Sequence, residues 1–149
     1  MLEEIFDYLK NDFRYKRIEG DMHVTSGRLE LPGGVEPAPG QFVRIFGSIY
    51  NNGVHVYDDD TLTDESWWGT VWLLAVPSDL VELAGRIRAD REAQRAAEDA
   101  ARESGAASVG PLKSESFDGY SYTRATRADG SLMDWRDTYR GELARWRKL

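Results

Sequence analysis

Gly40-Gln-Phe-Val-Arg-Ile-Phe-Gly-Ser-Ile-Tyr-Asn-Asn-Gly-Val-His-Val-Tyr57 is the stretch whose reading decides the fold. Asn52-Gly53 supplies the positive φ angles that a tight hairpin needs, and Ile45, Ile49, Val54 and Val56 flank it. The spacing predicts strands at 41–46 and 54–57. On either side the chain keeps the same character. Further strands are predicted at 14–19, 22–31 and 69–76. They are separated by Gly20-Asp21, by Pro32-Gly33-Gly34 and by Pro37-Ala38-Pro39-Gly40. Residues 14–77 thus read as a small antiparallel β lobe.

Outside this lobe the apolar period changes from strand-like to helical. Leu2, Ile5, Phe6, Leu9 and Phe13 fall on one face of a helix over 2–13. Pro77-Ser78-Asp79 opens a second, long helix, with Ser78 as its cap and Leu80, Leu83, Ala84 and Ile87 as its apolar stripe. Beyond Arg88 the stripe thins to Ala93, Ala96, Ala97, Ala100 and Ala101. Alanine favours the helix but buries little surface. That half is expected in solvent or against another chain, not in the protomer's own core. Ser104 to Gly110 is a linker of small residues. Residues 113–125 read as an extended arm or hairpin around Gly119. A last helix is predicted from Ser131, with Leu132, Trp135, Tyr139, Leu143 and Trp146 as a heptad-like seam.

The implied fold class is α+β in a single domain, 1–149. An N-terminal, a long central and a C-terminal helix form a helical core. That core carries the inserted β lobe and the arm.

Composition removes several function classes. The chain has no Cys, which excludes disulfides, thiol catalysis and Cys-zinc sites and fits a reducing cytosol. At 41% hydrophobic and 30% charged it reads as an ordinary globular protein. The longest apolar run, Val71 to Pro77, is strand-sized, and Glu3 and Glu4 oppose a signal-peptide reading. The net charge is −7, all of it from residues 1–77. Phosphate binding depends on positive charge, so general nucleic-acid binding is not expected. The exception is local: Arg136, Arg140, Arg145, Arg147 and Lys148 make the C-terminal stretch basic.

No catalytic motif is present. His23 and His55 each sit in a predicted strand without a second His nearby. Asp58, Asp60 and Asp64 alternate as calcium-loop ligands do, but Thr63 stands where the sharp-turn Gly belongs. Gly69 stands where the bidentate Glu belongs. An acidic solvated turn is the plainer reading. Neither a Gly-x-Ser-x-Gly elbow nor a phosphate loop occurs. The expectation is therefore no enzyme, no cofactor and no metal. The remaining enzymatic alternative is a hydrolase using the Asp58–Glu65 carboxylates. Five Trp and seven Tyr point elsewhere, because Trp, Tyr and Arg anchor protein interfaces.

Two stretches carry a resemblance. The hairpin region, continued by Leu62-Thr-Asp-Glu-Ser-Trp-Trp-Gly-Thr-Val-Trp72, resembles proteins of prophage structural-gene clusters. Lys113-Ser-Glu-Ser-Phe-Asp-Gly-Tyr-Ser-Tyr-Thr123, followed by a final helix ending Arg-Trp-Arg-Lys-Leu149, is similar to head-tail connector proteins of long-tailed phages. The match falls on Ser114, Glu115, Ser116, Tyr120 and Ser121, with Asp118-Gly119 in reversed order.

This resemblance implies a virion protein of the neck, made in the bacterial host cytoplasm. It implies a helical core and a ring of about twelve copies beneath the portal, closed by head-to-tail contacts. The implied partners are the portal protein, a stopper or other tail-side neck protein, and the protein itself. DNA would pass through the channel without specific binding, and no membrane is involved. Tyr139, Leu143, Trp146, Arg145, Arg147 and Lys148 are the candidate portal-binding residues. Ala93, Ala97, Ala100, Phe117, Tyr120 and Tyr122 are the candidate subunit-interface residues. The alternatives are a stopper or tail-completion protein, a class more often β-rich throughout, or a small protein-binding module with no phage role.

Overall fold

The computed structural model describes residues 1–59, 61–103 and 133–148, and the backbone of 114–117 and 120–123. It separates into two compact units. One comprises Leu2–Val81 with Lys148–Leu149, the other Met1 with Glu82–Arg147.

The first unit begins with helix α1, Leu2–Leu9, followed by β1, Arg14–Thr25; β2, Arg28–Glu30; β3, Phe42–Phe46; β4, Gly53–Val56; and β5, Glu65–Leu74. The strands form one antiparallel sheet in the order β2-β1-β5-β3-β4, curled into a half-barrel. Ile18 pairs with Val71, Met22 with Trp67, Ile45 with Val71 and Val43 with Leu73. Cross-strand partners share a face, so these residues meet on the concave side. With Val24 and Leu29 they make a buried cluster, against which Leu31, Val35, Tyr57, Leu62 and Trp67 pack. Burying one such aliphatic side chain stabilises the fold by roughly 1.5–3 kcal/mol. On the opposite face, α1 buries Ile5, Phe6 and Leu9, and Phe6 meets the Phe13 ring at 5.6 Å. Arg44 is tied there to Asp12 and lies 3.8 Å from Asp7.

This arrangement corrects the expected helical core. The strands bury a cluster of their own, and the β region is the body of its unit and not a lobe carried by helices. The physical cause is the strict alternation along β1, where Ile18, Met22 and Val24 face inward between exposed neighbours. Two predicted breaks also move. Gly20-Asp21 does not end a strand, because β1 runs through it. Gly20 is there for close approach: a Cβ would lie 3.1 Å from Pro32 Cγ. The predicted strand 22–31 is split instead at Ser26-Gly27. Both residues have positive φ, 52° and 79°, as a two-residue type I′ hairpin requires. The tight turn lies there and not at Asn52-Gly53, which ends a longer loop between β3 and β4.

The second unit holds most of α2, Ser78–Glu103, which begins where Leu80 and Val81 donate to the Pro77 carbonyl. The hairpin β6, Ser114–Phe117, and β7, Tyr120–Thr123, forms a separate two-stranded sheet. Helix α3, Trp135–Thr138, opens with an Asp134–Asp137 capping box. Then come α4, Arg140–Leu143, and a 3-10 turn, Ala144–Trp146. The predicted last helix is therefore broken at Tyr139, whose φ and ψ are −100° and 9°. Ser131 and Leu132 lie outside the described residues.

Gly20 and Gly69 face each other across β1 and β5. The Trp67 ring lies over the second: a Cβ on Gly69 would approach its Nε1 and Cδ1 to 2.6 and 2.7 Å. Gly69→Ala is predicted to destabilise the protein by about 1–3 kcal/mol through overpacking. Urea unfolding followed by Trp fluorescence measures this, and an unchanged midpoint would contradict the packing described.

Candidate functional site

Among the described residues, Ser48 and Asn51 are the buried polar side chains. Both belong to the loop between β3 and β4. Buried polar groups need partners, and here one carboxylate supplies most of them. Glu65, the first residue of β5, accepts from the Ser48 hydroxyl, from the Ile49 N–H at 2.7 Å and from the Tyr50 N–H at 3.4 Å. It also accepts from Asn51 Nδ2 at 3.0 Å. The Asn51 N–H donates to Ser48 Oγ at 2.7 Å. Asn51 also exchanges hydrogen bonds of 2.8 Å with the Thr63 backbone. Asn52 exchanges a further pair with Ser48. His55 donates through Nε2 to the Asn51 carbonyl at 2.7 Å.

This polar clasp presents apolar groups to solvent. Ile49 is 80% exposed and Tyr50 67%, although their own backbone N–H groups are held by Glu65. Trp68, three residues along β5, is also 67% exposed. It stands on the convex face opposite Asp21, while Trp67 turns to the core. The loop is rigid by hydrogen bonding and apolar at its tip, the combination that lowers the ordering cost of docking. Trp and Tyr are also the usual anchors of interfaces. It is the candidate site, and it was not among the residues selected from sequence. One signal was available: of two adjacent Trp in a strand, one must face away from the core.

Partial burial of Glu65 raises its pKa. The bonds from Ser48, Ile49, Tyr50 and Asn51 outweigh that and hold the carboxyl below its ordinary 4.5. Two other carboxylates of the acidic run are also held in structural contacts. Asp64 accepts from the Gly27 N–H at 2.9 Å, and Asp58 pairs with Arg28 at 2.6 Å. Asp60 lies outside the described residues. Among the described residues no group of three His, Asp or Glu is placed to hold a metal ion. His23 Nδ1 shares a hydrogen bond with Ser66 across the strands. No helix in the described residues is long and apolar enough to cross a membrane.

The C-terminal candidates are placed unevenly. Leu143 is fully buried, which corrects its assignment to a partner surface: the side chain is enclosed within the chain's own interior. Tyr139 is half-buried and its hydroxyl donates to Asp90, while Arg86 meets Glu142 at 2.7 Å; both contacts join the C-terminal stretch to α2. Burial raises the Tyr139 pKa, and the bond to Asp90 and its charge raise it further, to about 12. Trp146 is half-buried with the Arg145 guanidinium 3.9 Å from its ring centroid. Arg145, Arg147 and Lys148 are exposed, and the Lys148 N–H donates to Leu9 O. Of the alanines, Ala93 and Ala100 are half-buried, but Ala97 is only 7% exposed. Ala97 is therefore interior, correcting its expected place against solvent or a neighbour. The side chains of Phe117, Tyr120 and Tyr122 lie outside the described residues.

Two titrations test these contacts. With a depressed folded pKa, the Glu65 clasp stabilises the protein above pH 4.5 and loses that contribution as pH falls through the folded value. Glu65→Gln is predicted to flatten the acid limb of a denaturation-versus-pH curve, and an unaltered limb would remove the clasp from the account. Tyr139 has the opposite sign. Its contribution is complete below pH 10.0 and is lost as pH rises through about 12. Alkaline absorbance titration should show one late tyrosine step, absent in Tyr139→Phe.

No family model, curated protein or solved structure matches this chain.

Proposed function

We propose that this protein is a structural virion component: the head-to-tail adaptor of a tailed-phage or prophage neck. It forms a ring under the portal, links the portal to the next neck or tail protein, and performs no catalytic step. The observation that carries the assembly reading is the clasped loop. A network of polar contacts holds Ile49 and Tyr50 outward where ordinary packing would turn them in. Preorganised apolar anchors serve docking and have no evident use in a monomer. The placement in the neck rests on the resemblance of residues 113–123 and of the basic C-terminal stretch to head-tail connectors.

In this reading the Ile49–Tyr50 tip and Trp68 meet the tail-side protein. The exposed Arg145, Arg147 and Lys148, with Trp146 and Tyr139, meet the portal. The chain's net charge of −7 favours a DNA channel that repels the duplex and lets it slide. The sheet-centred core gives some support to the runner-up, a stopper or tail-completion protein. Order of addition separates the two, since an adaptor binds the bare portal ring and a stopper binds only after the adaptor is seated.

Mixing the protein with portal rings of the same genome tests this. Co-sedimentation with bare portal is expected. A desolvated Trp anchor is worth about 2 kcal/mol, so Trp146→Ala should weaken portal binding by about thirtyfold. Ile49→Asp with Tyr50→Asp should keep portal binding and abolish addition of the next neck protein. Failure of the unaltered chain to bind bare portal would reject the adaptor role.

A further inference from the structure

Strand β1 is covered unequally by its neighbours. β5 pairs with it from Arg14 to Val24, but β2 pairs only with His23, Val24 and Thr25. The 3-10 turn Pro32–Gly34 approaches it at Gly20. From Arg14 to Glu19 the other edge of β1 has no backbone partner among the described residues. A row of unpaired N–H and C=O groups is a template for another strand. Ile18 alone of these residues is buried; the others are exposed.

The charge on this edge says what suits it. Arg14, Lys16 and Arg17 are half of the basic residues among the first 77, in a region otherwise strongly acidic. Arg14 stacks over Trp72 and Arg17 meets Glu19, while Lys16 has no ion pair among the described residues. Two such edges are both net positive, so a second β1 is a poor match for this one. A strand bearing negative charge is complementary to it.

The same chain holds such a strand. Among the described residues β6 and β7 pair only with each other, from Ser114 opposite Thr123 to Phe117 opposite Tyr120. A two-stranded hairpin is marginal in water until a third strand joins it. Of its two strands β7 carries no charged residue, and β6 carries one, Glu115. Four residues of β6 fit within the open stretch of β1.

We infer that β6 of one copy adds as a strand to the Arg14–Glu19 edge of β1 in the next copy. The inference rests on the reading that copies of this chain assemble, and it supplies the contact between them. Donor and acceptor are different surfaces, so the contact is head-to-tail and can propagate around a ring. Main-chain hydrogen bonds provide the attraction, and the charges on Lys16, Arg17 and Glu115 set the choice of strand.

The absence of Cys makes a cross-linking test direct. Chains carrying Lys16→Cys or Arg17→Cys are each mixed with chains carrying Glu115→Cys and mildly oxidised. Paired strands bring Cα atoms within disulfide reach. At least one mixture should give a covalent dimer that neither of its components gives alone. In a parallel arm, Lys16→Glu with Arg17→Glu should weaken self-association by about tenfold, and adding Glu115→Lys should restore it. If the protein assembles but neither mixture cross-links and charge reversal has no effect, strand addition is overturned while the ring reading stands. If the unaltered chain stays monomeric alone and with portal, both fall. A disulfide closing within a monomer that carries both cysteines also overturns the inference, because the hairpin then covers its own edge.

Discussion

The register between β1 and β5 is the constraint on which the sheet unit depends. With Ile18 opposite Val71, every second residue of both strands is committed to the concave face. A slip of one residue would turn Met22 and Val24 outward and bring Asp21 and His23 into the core. The same phase sets Gly20 against Gly69, leaving bare backbone on which the Pro32 and Trp67 side chains lie. It also turns Trp68 outward, so the exposed aromatic follows from the packing of the core.

Glu65 sits where this register meets the β3–β4 loop. It pairs with Val24 on the core face of the sheet, at the first position of β5. From that rim its carboxylate reaches the loop backbone. Fold and candidate surface are thereby coupled: the strand that completes the core also holds the tip that carries Ile49 and Tyr50. Charged hydrogen bonds to backbone N–H groups are stronger than neutral ones, which suits a loop whose apolar side chains contribute little to its own folding.

Tyr139, just ahead of α4, bonds Asp90 of α2, Glu142 of α4 pairs with Arg86, and Leu143 is fully buried. The C-terminal stretch therefore divides by role. Among the described residues of its apolar seam Trp135 and Leu143 are buried and Tyr139 and Trp146 half-buried, while Arg145, Arg147 and Lys148 are exposed.

Much of the secondary structure was legible from residues alone. Turn residues between short β-prone runs marked the strands, and a helical period marked α1 and α2, because both signals follow from local geometry. The missing Cys and the acidic first half likewise set limits without any structure. Three things lay beyond the sequence, each depending on residues distant in the chain. Gly20 read as a break because a Gly serving a turn and one making room for Pro32 are alike until Pro32 is in place. Ala97 read as a surface residue because its burial depends on tertiary contacts and not on its own size. The clasped loop was invisible because Glu65 lies well beyond Ser48 in the chain, and only the pairing of β3 with β5 brings its carboxylate to the loop. Sequence alone marked where most strands and helices lie, though not where several of them begin, end or break. Tertiary structure decided which of their side chains are core and which stay exposed, since burial belongs to the assembled sheet and not to any one strand.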